Sequence, residues 1–211
     1  MSDFEPEKIA TSYDVVAQDY AAKFFDELDD KPGDRALLDD IATRTNGIIC
    51  DLGCGPGHVA RYLATRGADV LGVDLSQEMV AVARRRNPGL RFEQSNMLDL
   101  GWVDAEAWGG VVAFYSLIHI VRRRVPDALA EIRRVLRRGG LLAVGAHAGE
   151  GEIRADGFLG HHVPFAGTYF ELDELRSFID DAGFEVERAI ERPPYEREGG
   201  PRLYVVAKRG A

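Results

Sequence analysis

A short apolar run, Gly47 to Leu52, breaks at once into Gly53-Cys54-Gly55-Pro56-Gly57-His58. Glycines let a backbone turn sharply and approach a ligand closely. An apolar run of this length, closed by glycine, fits a strand buried on both faces. Pro56 stands where a proline suits the first turn of a helix. The segment predicts strand, tight turn and helix over 47–66, the unit from which open α/β sheets are built.

The chain repeats that unit. Strands are expected at 68–74, 90–94, 111–115, 140–146, 184–190 and 203–207. Helices are expected at 76–86, 126–138 and 172–182, with Ser76 as N-cap of the first and Gly183 ending the last. Ahead of the sheet, Ile9, Tyr13, Val16, Tyr20, Phe24 and Leu28 fall three or four apart. That spacing predicts a helix over 5–29, then a break at 31–34 and a second helix over 35–45. Residues 147–168 contain glycines and histidines and are read as a long loop. The expected fold is α/β and Rossmann-like: a seven-stranded, mostly parallel sheet with helices on both faces and an N-terminal helical cover. The last two strands lack a helix between them, so the last should run antiparallel. Residues 1–46 form the cover and 47–211 the sheet domain, as one structural unit.

Composition narrows the function classes. Apolar residues make up 45% and charged residues 29%, enough for a sizeable core. A net charge of −9 argues against a general binder of nucleic acid or anionic membrane. The arginine clusters 84–86 and 122–124 lie near expected helix ends, where cations meet carbonyls or stay solvated. No apolar run approaches the ~20 residues of a membrane span, and the first ten residues are acidic and polar. Neither a transmembrane helix nor a secretory leader is expected. Cys50 and Cys54 are too few for a disulfide framework, and their spacing is a poor zinc signature. A cytoplasmic setting and no metal are the expectations.

Three ligands compete for the glycine turn. A dinucleotide fingerprint wants a third glycine at position 58, where this chain has His58, and an apolar residue at Asp51. A phosphate loop needs Gly-Lys-Ser/Thr, which is absent. An acid ahead of the glycines suits a cationic ligand without phosphate, such as S-adenosyl-L-methionine (SAM). Here the sequence resembles the class I SAM-dependent methyltransferases, in particular small bacterial members. The resemblance runs from Asp51-Leu-Gly-Cys-Gly-Pro-Gly57, through Val70-Leu-Gly-Val-Asp74-Leu-Ser76 and Asn96-Met97, to Arg134-Val-Leu-Arg-Arg-Gly-Gly140. It covers about residues 47–146, with the C-terminal strands consistent.

The resemblance implies roles for single residues. Asp51 would lie near the methionine moiety of SAM, through water, and the Gly53 and Gly55 backbone would pack against the ligand. Asp74 would accept both ribose hydroxyls, Leu75 and Met79 would flank the adenine, Asn96 would accept its amino group and Met97 would donate a backbone N–H. The family more often has Asp at position 96 and at the glycine position 110. Asp74 also invites the plainer reading of an acid stabilised at a helix N-terminus, and Met79 that of core packing.

Tyr115-Ser-Leu-Ile-His119 follows an expected strand, at the sheet edge where α/β ligands sit. Tyr115 and Ser116 are assigned to the cofactor, and His119 is the candidate base, because imidazole titrates near neutrality; a buried histidine bonded to backbone is the competing reading. Tyr13 and Tyr20 lie two helical turns apart in Tyr13-Asp-x-x-Ala17-x-x-Tyr20, a pattern that resembles the cover helix of these enzymes. Both are assigned to the reacting end, against the plainer reading of a core stripe. His147, His161, His162 and Tyr169 are placed in the acceptor pocket, because loops over the strand ends usually shape it. The expected reaction is methyl transfer to an O or N atom of a small molecule, a specialised metabolite or a peptide amine, leaving S-adenosyl-L-homocysteine. RNA or protein methylation, a SAM-binding scaffold and an NAD-dependent oxidoreductase stay as alternatives. The expected state is monomer or homodimer.

Overall fold

Residues 5–210 are described here in a computed structural model; residues 1–4, on which part of the leader and cover expectations fall, and Ala211 lie outside the described residues. The cover begins with helix α1 (Pro6–Phe24), a 3-10 turn (Glu27–Asp30) and helix α2 (Pro32–Arg44). Pro32 was expected to break the chain and instead opens α2, where its missing N–H would have had no helical partner anyway.

The alternation then runs β1 (Ile49–Leu52), α3 (His58–Thr65), β2 (Val70–Asp74), α4 (Gln77–Arg86), β3 (Arg91–Gln94) and β4 (Trp108–Phe114). Two 3-10 turns (Leu117–His119 and Arg122–Arg124) lead to α5 (Val125–Val135) and β5 (Leu136–His147). A hairpin, β6 (Glu152–Ala155) and β7 (Phe165–Thr168), precedes α6 (Leu172–Asp181), β8 (Phe184–Arg192) and β9 (Arg202–Arg209).

Seven strands form one sheet in the order β3-β2-β1-β4-β5-β9-β8. Only β9 runs antiparallel, to both β5 and β8, because a loop rather than a crossover helix returns the chain from β8. Helices α2, α3 and α4 pack one face of the sheet; α5 and α6 pack the other. The chain moves outward from β1 to β3 and then returns to β4 on the other side of β1. This reversal leaves a crevice at the carboxyl ends of the strands. Helix α1 lies against α4, with Ala17 and Ala21 on Met79 and Val82. Burying a side chain such as Met79 contributes about 1.5–3 kcal/mol.

Two further elements differ from the sequence reading. The helix expected to reach residue 138 ends at Val135. Leu136 is fully buried and pairs with Trp108, and the ladder resumes only at Leu141 opposite Gly110, so residues 137–140 bulge between. The stretch expected as a loop holds the β6–β7 hairpin, which apolar alternation does not betray because every β6 residue is exposed. No helix among the described residues is long and apolar enough to cross a membrane.

Candidate active site

Gly53, Gly55 and Gly57 adopt φ of +79°, +51° and +83°. A Cβ on Gly53 would stand 2.2 Å from the Ser116 Cβ, so the turn closes on the exit of β4 only with glycine there. The Ser116 hydroxyl donates to the Leu52 carbonyl (2.7 Å), tying the ends of β1 and β4 together. Tyr115 holds a left-handed φ of +55°, a strain of the sort that persists where surrounding contacts over-determine the backbone.

Asp74, the last residue of β2, reaches across to the turn. Its Oδ2 accepts the Gly55 N–H (2.8 Å) and its Oδ1 the Ser76 N–H (2.9 Å). An ionised carboxylate has about four lone-pair sites, so both oxygens keep capacity toward the cavity. Burial pushes its pKa up to about 6, with the two N–H bonds pulling the other way.

Asp51 serves the helix that follows the turn. It sits mid-sheet between Gly72 and Val112 and accepts the Ala60 N–H (2.9 Å), one of the unpaired donors in the first turn of α3. Burial pushes its pKa up to about 7, against the pull of His58 and the Ala60 N–H. It lies outside the cavity lining, with one carboxylate oxygen spent on the helix end.

The cavity, about 210 Å³, spans the carboxyl ends of β1, β2 and β4. Gly53, Gly55, Asp74, Leu75, Met79, Asn96, Met97, Tyr115 and Ser116 all line it, as do Tyr13, Tyr20 and His119. Ser76 is the N-cap of α4, its hydroxyl accepting the Met79 N–H (3.0 Å). Asn96 Oδ1 accepts the Leu98 N–H (2.9 Å), so the oxygen expected to meet the adenine already serves a local turn.

Helix α1 divides its polar residues between two tasks. Asp14 Oδ1 accepts the Ser76 hydroxyl (2.5 Å) and the Glu78 N–H (3.1 Å), pinning α1 to the start of α4. Tyr13 and Tyr20 turn inward, their ring centroids 5.8 Å apart, and burial raises both phenol pKa values. The Tyr20 hydroxyl makes no hydrogen bond among the described residues. His119 lies between the Tyr13 hydroxyl, 2.7 Å from Nε2, and the Ala166 carbonyl, 2.8 Å from Nδ1. Burial pulls its pKa down to about 4, with the Ala166 carbonyl acting in the opposite direction.

None of the four residues expected in the acceptor pocket lines the cavity. Leu159 (φ 51°) and Gly160 (φ 82°) make a tight turn with both central residues left-handed. Across it, Phe158 packs on Tyr13, Tyr20 and Phe165, whereas His161 bonds Asp19 on α1 (2.6 Å) and His162 is exposed. His147 stacks near Tyr115 and Tyr169, one layer behind the cavity.

The sequence reading missed the other end of the cavity, lined by Glu27, Asp34 and His58. Glu27 meets His58 (3.1 Å) and Lys31 (2.8 Å), which against its burial hold its pKa down to about 2. Lys31 also meets Glu198 (3.5 Å); Arg192 joins Glu198 and Asp34 (3.0 Å) and reaches the Tyr204 hydroxyl, itself 2.6 Å from that of Tyr115. Asp34 Oδ2 and His58 Nδ1 are buried without a hydrogen-bond partner. No spacing announces this network, because it joins the α1–α2 link to the β8–β9 loop.

The arginine clusters have structural partners. Arg84 donates to the Phe92 carbonyl and Arg86 lies over the Phe25 ring. Arg122, ahead of α5, pairs with Glu174 and donates to the Tyr169 carbonyl (2.8 Å).

Comparison with known proteins agrees with this architecture. Residues 49–140 match the family model described as a methyltransferase domain. The chain is 26% identical over 196 residues to a malonyl-[acyl-carrier protein] O-methyltransferase of Enterobacter lignolyticus, covering 90% of this chain and 74% of that protein. It is 38% identical over 115 residues to a trans-aconitate 2-methyltransferase of Rhodopseudomonas palustris, covering 52% of this chain and only 42% of that one. The solved structure of magnesium protoporphyrin IX methyltransferase from Synechocystis PCC 6803 with bound SAM superposes with a TM-score of 0.72 at 17% identity, over 100% of this chain and 98% of that one.

Proposed function

Because the chain belongs to the class I SAM-dependent methyltransferases, enzymes whose cofactor is SAM, we propose that it transfers a methyl group to an O or N atom of a small molecule. The observation that carries this is one cavity lined both by the glycine turn with Asp74, Leu75, Met79 and Met97 and by the aromatic group of Tyr13, Tyr20 and His119.

The residues present fit the cofactor. Asp74 offers acceptor-only oxygens suited to a sugar diol, and Leu75, Met79 and Met97 offer apolar surface for adenine. At the opposite end, the unpartnered Asp34 Oδ2, an acceptor, suits the ammonium of an amino acid. When bound, SAM supplies a methyl group on a positively charged sulfur. The protein then has to line up the acceptor, exclude water and hold charge; placement of this kind can supply much of the acceleration. The Gly53–Gly55 backbone forms the floor, Tyr115 and Ser116 fix the β4 side, and α1 with Phe158 covers the opening.

Residues 1–46 act in this reading as the cover of a catalytic domain comprising 47–211. The relatives named above, described by their names as acting on a malonyl carrier protein, aconitate and a porphyrin, support a small acceptor. The net charge of −9 argues against a nucleic-acid substrate. A cytoplasmic monomer or homodimer completes the proposal. Calorimetric titration with SAM, S-adenosyl-L-homocysteine and NAD tests it, followed by mass detection of one added methyl across an acceptor panel. Binding of SAM and its product with turnover is expected. Binding of NAD alone would overturn the proposal, and SAM binding without any turnover would point to a scaffold.

A further inference from the structure

Both ring nitrogens of His119 are already engaged, and one partner fixes the tautomer. A carbonyl oxygen can only accept, so the contact with Ala166 requires a proton on Nδ1. In the neutral ring Nε2 then has a lone pair and no proton, so the Tyr13 hydroxyl, 2.7 Å away, donates to it. Tyr13 Oη thereby turns its lone pairs, and no proton, to the remaining space. His119 lines the cavity but cannot reach an acceptor through either nitrogen without displacing Tyr13 or the hairpin.

Resting on the methyl-transfer reading, we propose that Tyr13 Oη is the atom that meets the acceptor and relays its proton to His119. The acceptor is accordingly a molecule that arrives with its proton on, an acidic O–H or an aromatic ring N–H, and not a carboxylate. A carboxylate brings no proton and would face lone pairs, whereas an X–H group completes the chain X–H to Tyr13 Oη to His119 Nε2.

The step balances as follows. As its proton leaves, X forms the X–C bond with the electron pair it retains, while the C–S pair returns to sulfur. The X–H proton passes to Tyr13 Oη, and Tyr13's own proton passes to His119 Nε2. His119 becomes an imidazolium whose Nδ1–H still points to Ala166, and it loses the extra proton to solvent once product leaves. A weakly basic imidazole suffices, because a methylated hydroxyl or methylated neutral ring nitrogen is far more acidic than its parent. It would not deprotonate an aliphatic ammonium. The charged and titratable groups that act on this pair are Asp74 and Tyr20, which face Tyr13, and His147, which acts on His119; the rings of Phe158 and Phe165 pack beside them.

Two measurements on the full chain loaded with S-adenosyl-L-homocysteine or SAM decide it. Nitrogen-15 spectra of the His119 ring should show the Nδ1–H tautomer with a hydrogen-bonded Nε2. Tyr13→Phe should shift the Nε2 resonance to that of an unbonded nitrogen. A ring protonated on Nε2, or an Nε2 resonance indifferent to Y13F, would overturn the relay. In the second measurement, 4-methylphenol, carbazole (a ring N–H with no second nitrogen) and benzoate serve as probes. Methylation of a proton-bearing probe is expected, with Y13F and His119→Ala lowering kcat by about 100-fold or more, the lower range for general-base catalysis. SAM affinity by calorimetry should stay within about twofold, which separates this test from the methyl-transfer reading itself. Methylation of benzoate alone, of neither proton-bearing probe, or with unchanged kcat in Y13F would overturn the acceptor class.

Discussion

Replacing Asp74 with Asn changes one oxygen into an NH2 group and probes two separate functions of the side chain. In the folded protein both oxygens accept a backbone N–H, from Gly55 and Ser76. Asn has a single acceptor oxygen, so one of those donors would face another donor. An unsatisfied buried donor costs about 1–3 kcal/mol, and thermal stability should fall by that order. Ligand affinity should fall independently. A hydrogen bond to a charged group contributes about 1.5–3 kcal/mol, so SAM should bind about 10- to 150-fold more weakly at 1.4 kcal/mol per decade. Titration calorimetry reads the affinity and a melting curve reads the fold. The raised pKa adds a second signature. A carboxyl held at about 6 is ionised above that value and protonated below it, when it ceases to be an acceptor-only group. Wild-type affinity should hold above neutrality and decline as pH falls through about 6. In the Asn variant that titration should vanish. A folded variant that binds SAM as tightly as wild type at neutral pH would refute the diol assignment.

Other substitutions test the remaining assignments. Asp51→Asn keeps an oxygen for the Ala60 N–H and removes a buried charge. The folded pKa of Asp51 is raised from 3.8 to about 7, so its contribution to stability is present below the lower value and lost as pH rises through the upper. The variant should therefore be more stable than wild type above neutrality, by on the order of 1–4 kcal/mol at 1.36 kcal/mol per unit, and an unchanged dependence of melting temperature on pH would contradict the burial argument. Gly53→Ala puts a Cβ against Ser116 in a left-handed backbone, which should cost about 2–5 kcal/mol from the conformation and the overpacking together; a melting temperature equal to wild type would show that the turn is not tight. His161→Ala removes a surface pair with Asp19 and should cost under about 1 kcal/mol with no change in acceptor KM, whereas a raised KM would return His161 to the acceptor pocket.

The aromatic and charged walls of the cavity explain why site legibility was uneven. Asp74, Leu75, Met79, Asn96 and Met97 follow strand ends at fixed distances from the glycine turn, so chain order alone carries them to one rim. Tyr13 and Tyr20 share a helix face, and a two-turn spacing suffices to predict that they point together. His119 was located by its place after a strand, but its two engagements depend on Tyr13, 106 residues away, and on Ala166, 47 residues away. Periodicity is silent about such pairs. His161 and His162 misled because a loop's side chains follow the handedness of one tight turn, which two residues with positive φ decide.

By itself the sequence determined the sheet. Buried parallel strands are continuous apolar runs, their helices carry a 3.6-residue period, and the glycines must stand where the backbone leaves the left-hand side of the allowed map. It determined that strands joined through helices run parallel and that the last reverses, since only a helix-length connection lets a chain return in the same direction. Tertiary structure alone decided where the polar groups spend their hydrogen bonds: Asp51 on α3, Asp14 on the start of α4, Asn96 on its own turn, and the ions of 27–34 on those of 192–202. Those partners lie far apart along the chain and meet only after the core has packed, and an unpaired buried polar group is too costly to leave its choice to local sequence.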